Sequence, residues 1–235
     1  MTKKRIAIIC GGRSSEHPIS CISAKGVLSA IDSTKFETSL IGITESGAWV
    51  QLSSADEFVS GKDGLPYVPE TAPLISADVR GFTGANGEKL HIDLVFPLLH
   101  GAYGEDGTIQ GFFEMAGIPY VGSGVLASSV AMDKTFAKPI YADFGLKVAD
   151  GITVHQRDWE ANRELELAKI IALGFPIFIK PARSGSSRGT SKVKNESEIA
   201  AAIDEAHRHD PRAMVEVAIV GREIECAVLE LSLIH

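Results

Sequence analysis

The 235 residues carry 23 Lys and Arg against 30 Asp and Glu, a net charge of -7, with 45% hydrophobic and 7% aromatic content. That balance argues against a basic nucleic-acid face, a basic membrane face and intrinsic disorder, and the length suits two modest domains. The partner it leaves is a small polar ligand, with basic groups gathered locally.

Lys3, Lys4 and Arg5 ahead of the apolar run 6–10 have the charge order of a signal peptide. The run is too short and closes in Gly11 and Gly12, so it reads as a first buried strand over residues 5–10. Cys10, Cys21 and Cys226 lie in apolar contexts without zinc or disulfide spacing, which points to a reducing cytoplasm. Ser14 or Ser15 is placed to cap a helix over 18–31, with Pro18 in the first turn, where its missing N–H is harmless. A strand follows at 36–43, then a Gly-, Ser- and Pro-rich excursion over 53–87, then a strand over 93–99. Helices are expected at 108–115 and 125–131, with a brief strand at 120–121 between them. This βα alternation predicts the α/β class, with an open and mainly parallel sheet.

Near Gly145 the character changes. A strand at 152–155, one charged amphipathic helix over 158–172, a strand at 175–180 and another at 190–193 are expected. A helix at 196–209 and strands at 213–217 and 223–230 complete the pass. The domains are therefore drawn at 1–122, linker helices over 123–150, and 151–235. No internal repeat or transmembrane span is evident.

The most specific segment is FIKPARSGSSRG, residues 178–189. A lysine at a strand end, followed at once by a loop whose glycines expose backbone N–H groups, sets a fixed positive charge beside a flexible anion cradle. Phosphate is its natural guest, although a polar hairpin loop has the same composition. The segment matches neither a Walker A nor a GxGxxG pattern.

Together with GGRSSEHPIS (11–20), LLHGAYGEDGTIQG (98–111) and GSGVLASSVAMDK (122–134), this segment resembles the D-alanine:D-alanine ligases of the ATP-grasp superfamily, in the family's order from about residue 4 to 230. The resemblance implies an N-terminal preATP-grasp α/β domain that binds D-alanine, followed by an ATP-grasp α+β domain. It also implies ATP and Mg2+, an acyl phosphate route to D-alanyl-D-alanine for peptidoglycan, and a homodimer formed through the N-terminal part.

Residue by residue, the resemblance assigns Glu16 to the ammonium of the first D-alanine. A carboxylate at the mouth of a strand-to-helix turn suits an amine, and equally suits capping the helix. Ser186 links this glutamate to the substrate region, and His100 and Ile19 lie beside the first D-alanine. Glu105 is read as an organiser of the same turn. Lys134 and Lys180, with Ser187, hold the ATP phosphates. Glu216, Val217, Ile219 and Glu223, from MVEVAIVGREIE, face adenine and ribose, although many relatives carry lysine where Val217 stands. Val193 and Ile219 suit apolar walls for the base and, equally, strand core.

No metal ligand is assigned within the 235 residues. The magnesium carboxylates are expected after Glu230, and residues 231–235 do not resemble the family. The ATP-grasp domain is therefore expected to be incomplete and the chain alone inactive. A D-alanine:D-lactate ligase and a non-catalytic nucleotide-binding fragment are the alternatives.

Overall fold

The computed structural model describes residues 2–224. Two sheets organise them. The first has strand β1 (Lys4–Gly11) at its centre, parallel to both β2 (Phe36–Ile43) and β4 (Leu94–Pro97), while β3 (Trp49–Leu52) adds antiparallel to the outer side of β2. The side-chain period of two divides β1 between two cores. Ile6, Ile8 and Cys10 pack with Cys21 and Ala24 of helix α1 (His17–Ala30) on one face. Ala7 and Ile9 pack with Ile109 and Phe113 of helix α2 (Thr108–Ala116) on the other. A strand covered on both faces must be apolar throughout, which is why residues 6–10 form an unbroken hydrophobic run.

The second sheet is antiparallel, in the order β5 (Gly151–His155), β8 (Arg212–Val217), β6 (Ile177–Pro181), β7 (Ser191–Val193). Val154, Ile177, Ile179, Val193, Ala213 and Val215 form one face and bury against Ile170 of helix α6 (Arg163–Ile171) and Ile199 and Ile203 of helix α7 (Ile199–His207). The alternation then sends Phe178, Lys180 and Glu216 to the opposite face, with Phe178 directly across from Glu216 and Lys180 on the diagonal. Between the sheets run helices α3 (Val125–Met132) and α4 (Lys134–Asp143).

The α/β class and the mainly parallel first sheet are as expected. Several local expectations are corrected. Neither Ser14 nor Ser15 is the N-cap of α1. Glu16 takes that position without a side-chain capping bond, and the Ser14 hydroxyl accepts the Glu16 N–H instead. The expected helix over 158–172 is two helices, α5 (Gln156–Ala161) and α6, because Asn162 leaves helical geometry at φ -149, ψ 55. Residues 120–121 contribute only a bridge from Tyr120 to Val95. The helix over 196–209 begins as a 3-10 turn at Glu196–Glu198, and α7 ends at His207. The excursion over 53–87 contains short ribbons, Val59–Ser60 with Pro66–Tyr67 and Ser76–Asp78 with Gly81–Thr83. The strand expected at 223–230 lies, from residue 225 onward, outside the described residues. Among the described residues no helix is long and apolar enough to cross a membrane.

Candidate functional site

The turn after β1 is built around buried hydrogen bonds. Gly11 sits at φ +88, where a Cβ would lie 2.3 Å from the Ile43 carbonyl oxygen, so glycine is required there. Its N–H donates to Ser20 Oγ at 2.8 Å, and that hydroxyl donates to the Leu98 carbonyl at 2.6 Å, which joins the ends of β1 and β4. His17 is fully buried. Its Nε2 accepts the Val68 N–H at 3.0 Å, so Nδ1 carries the proton and donates to the Gly12 carbonyl at 2.7 Å. The neutral imidazole thus fixes the turn that presents Glu16.

Glu16 does not cap its helix. Its carboxylate accepts a hydrogen bond from the Ser186 hydroxyl of the glycine loop, across 170 positions of sequence. The backbone leaves room for this pair. A Cβ on Gly101 would stand 2.4 Å from Glu16 Oε2, and one on Gly185 would stand 3.4 Å from it. Ser186 and Ser187 are both left-handed, at φ 49 and 56, a conformation that non-glycine residues hold at a strain of order 1 kcal/mol. The loop is pinned there by N–H donation from Arg188 to Gly185 and from Thr190 to Ser187.

The loop after β4 closes the same region. Glu105 Oε2 accepts the Gly101 N–H at 2.7 Å, which braces the turn from within. His100 Nε2 lies 2.9 Å from Ser23 Oγ of α1. His100, Glu105, Gln110, Ser123 and Ser128 line a cavity of about 490 Å3 at the strand end, where ligands of open α/β sheets gather. Ile19 lies partly exposed on α1, toward its N-terminal end.

Lys134 opens α4, with Asp133 as its N-cap accepting the Thr135 N–H at 3.0 Å. Its ammonium donates to the Ser184 carbonyl at 2.7 Å and reaches the Pro181 and Ala182 carbonyls at 3.4 and 3.5 Å. Burial first, and the neighbouring Lys180 cation second, hold its pKa below the ordinary lysine value. Lys180 and Lys138 grip the two oxygens of one carboxylate, that of Glu216. Burial works against the ionised Glu216, but the hydrogen bonds from Lys138 and Lys180 outweigh it and lower its pKa. Lys192 stands 5.6 Å from the Phe178 ring centre and Lys180 stands 5.9 Å from it. Two lysines thus hold the Glu216 carboxylate, with Lys134 close to Lys180 and Lys192 over the neighbouring Phe178 ring.

The geometry therefore brings Glu16, Ser186 and His100 to one region and Lys134, Lys180 and Glu216 to another, joined by the glycine loop. It separates others. The Val217 N–H is spent on the Asp150 carbonyl, so it is not offered to a ligand. Val193 packs into the core, while Ile219 and Glu223 are exposed beyond β8. Sequence reading did not single out Lys138, although its spacing of four from Lys134 on a helix puts both on one face. It also passed over Arg212, which pairs with Asp133 and Asp210, while Arg183 of the loop pairs with Asp210 at 2.7 Å. Nothing in the sequence pairs these charges. Among the described residues no group of three or more His, Cys, Asp or Glu side chains is arranged to hold a metal.

Two solved structures that superpose on this chain are ligases by their names. The VanG D-Ala:D-Ser ligase of Enterococcus faecalis superposes with a TM-score of 0.80 at 37% identity, over 94% of this chain and 64% of that one. The D-alanine–D-alanine ligase of Coxiella burnetii gives 0.80 at 34% identity, over 94% and 65%. Residues 5–123 match the model for the D-ala D-ala ligase N-terminus and residues 140–233 that for the C-terminus. The chain belongs to the D-alanine–D-alanine ligase family. The D-alanine–D-alanine ligase of Paenarthrobacter aurescens (strain TC1) is 48% identical over 239 residues, covering 97% of this chain. That of Mycolicibacterium smegmatis is 46% identical over the same share. The chain spans 63% of the length of these two relatives.

Proposed function

We propose that this sequence supplies the amine-binding and phosphate-binding parts of an ATP-dependent ligase that joins two D-alanines for peptidoglycan. The carrying observation is the proximity of Lys134 and Lys180. Each is partly buried, and the Lys180 cation weighs on Lys134, so the site favours an anion placed between them. ATP phosphates fit that demand. Lys134 and Lys180 would hold them with Ser187 and the loop's backbone, while Glu216, Val217, Ile219 and Glu223 would border the base and ribose. Val217 would do so without its N–H.

Glu16, oriented by Ser186 and enclosed by Gly101 and Gly185, would take the ammonium of the first D-alanine, with His100 and Ile19 beside it and Glu105 bracing the turn. Its carboxylate would then point toward the lysines. Transfer of the γ-phosphate to that carboxylate gives an acyl phosphate, which the amine of the second D-alanine attacks with loss of phosphate. The lysines neutralise charge on the transferring group. Magnesium would accompany the nucleotide and draw its carboxylates from outside the described residues. The division at 1–122, 123–150 and 151–235, a cytoplasmic location and a homodimer belong to the same proposal.

The test is phosphate release from ATP with and without D-alanine, by a chain of the relatives' full length containing this sequence and by the 235 residues alone. D-alanine-dependent release by the longer chain only is expected. Release indifferent to D-alanine would sink the ligase reading, and D-alanine-dependent release by the 235 residues would sink the division of labour.

A further inference from the structure

We propose that Lys138 is a positioning residue: it keeps Glu216 neutralised, so that Lys180 is free to leave Glu216 for phosphate. The inference deepens the nucleotide-site reading and rests on it.

The Glu216 side chain is 12% exposed and shares its two oxygens between two ammonium groups, Oε1 with Lys180 and Oε2 with Lys138. A carboxylate this buried does not tolerate losing its only counter-charge, which typically costs several kcal/mol. With two cations, one can depart. Lys138 is the one suited to stay. It comes from α4, and its side chain is 18% exposed against 24% for Lys180. Lys180 sits at the end of β6, immediately before the glycine loop, and is the one whose departure leads toward an anion. Lys134, one helical turn before Lys138, is already directed at the loop through the Ser184 carbonyl. The i and i+4 positions of one helix thus serve opposite sides of the exchange, with Lys134 serving the loop and Lys138 the carboxylate.

Removing Lys138 should therefore leave Glu216 gripping Lys180 alone, and removing Glu216 as well should release it. A merely structural lysine would not show that reversal. The test is trace labelling of lysines by acetic anhydride, read by peptide mass spectrometry on the 235-residue chain, with Lys169 as an internal reference. Lys180 labelling should fall by about threefold in Lys138→Gln, half a pKa unit of extra ion pairing. It should rise above the parent in Glu216→Gln, together with that of Lys138, and match Glu216→Gln in the double variant. Lys138→Arg should label like the parent.

Unchanged or faster Lys180 labelling in Lys138→Gln overturns the proposal, as does a double variant that behaves like Lys138→Gln. Should Lys138→Gln not fold, Glu216→Gln decides: Lys180 rising without Lys138 is equally fatal. Adding ATP separates the two readings. Failure to protect Lys134 and Lys180 counts against the nucleotide site, whereas the labelling order without ATP judges Lys138.

Discussion

The Ser186 hydroxyl donates to the Glu16 carboxylate, so a residue of the second sheet's glycine loop orients the carboxylate presented at the start of α1. The contact costs the loop two consecutive left-handed serines, which a turn of purely structural purpose would fill with glycine or asparagine. Ser186→Ala is expected to leave thermal stability nearly unchanged, because Ser186 is exposed. On the proposed role of Glu16, D-alanine affinity should fall by about tenfold, the worth of one hydrogen bond to a charged group. Titration calorimetry of both proteins reads it, and equal affinities would remove Ser186 from the site.

Gly101 is the backbone's allowance for Glu16. At φ +70, with a virtual Cβ 2.4 Å from Glu16 Oε2 and 2.6 Å from Ser14 Oγ, alanine fits only if the carboxylate moves. Gly101→Ala should therefore weaken D-alanine binding at least as much as Ser186→Ala while leaving ATP protection of Lys180 intact. Loss of both together would mean that the loop, not Glu16, was displaced.

Arg212 is the hub of a charge network beneath the glycine loop. It pairs with Asp133 and Asp210, whose side chains are 7% and 2% exposed. Arg212→Met leaves the buried Asp133 carboxylate without its ion-pair partner, while Asp210 keeps Arg183, and should destabilise the fold by about 3–5 kcal/mol. Arg183→Met should cost under about 1 kcal/mol, since Arg183 is half exposed and Asp210 keeps Arg212. Guanidinium denaturation midpoints distinguish the two, and near-equal losses would show that Arg183 carries the network.

Arg5 clasps Asp93 by backbone N–H and guanidinium at 2.8–3.2 Å, joining the entries of two parallel strands. Hydrogen bonds from the Arg5 side chain, then its backbone, lower the Asp93 pKa to about 2. The folded value lies below the unfolded value of about 3.9, so the contribution is complete above about pH 4 and is lost as pH falls toward 2. The stability gap between the parent and Asp93→Asn should be constant from pH 5 to 8 and close below pH 4. Urea midpoints across that range check it; a gap undiminished at pH 2.5 would show the pair is not its source.

Much of the first sheet was legible because burial on both faces writes itself as unbroken apolar runs, as at residues 6–10 and 40–43, and because glycine marks where such a strand must turn. The break at Asn162 was not legible. Charged and apolar residues keep a helical period through it, and the Trp159 indole of α5 donates to Asp204 of α7 at 2.9 Å, a tertiary pairing that no local pattern records. Ser14 and Ser15 misled because a capping residue is chosen by the angle at which the chain enters the helix, and that angle is set by His17 and Val68.

By itself the sequence determined the α/β class and the family, and it nominated the residue types of the proposed site, since lysine beside a glycine loop and glutamate after a glycine pair carry their chemistry in their identities. Only the tertiary structure decided who meets whom. Glu16 and Ser186 are 170 residues apart, and Lys138 and Glu216 are 78 apart. Pairings over such distances depend on how two sheets and a linking helix are set together, and local periodicity holds no record of that.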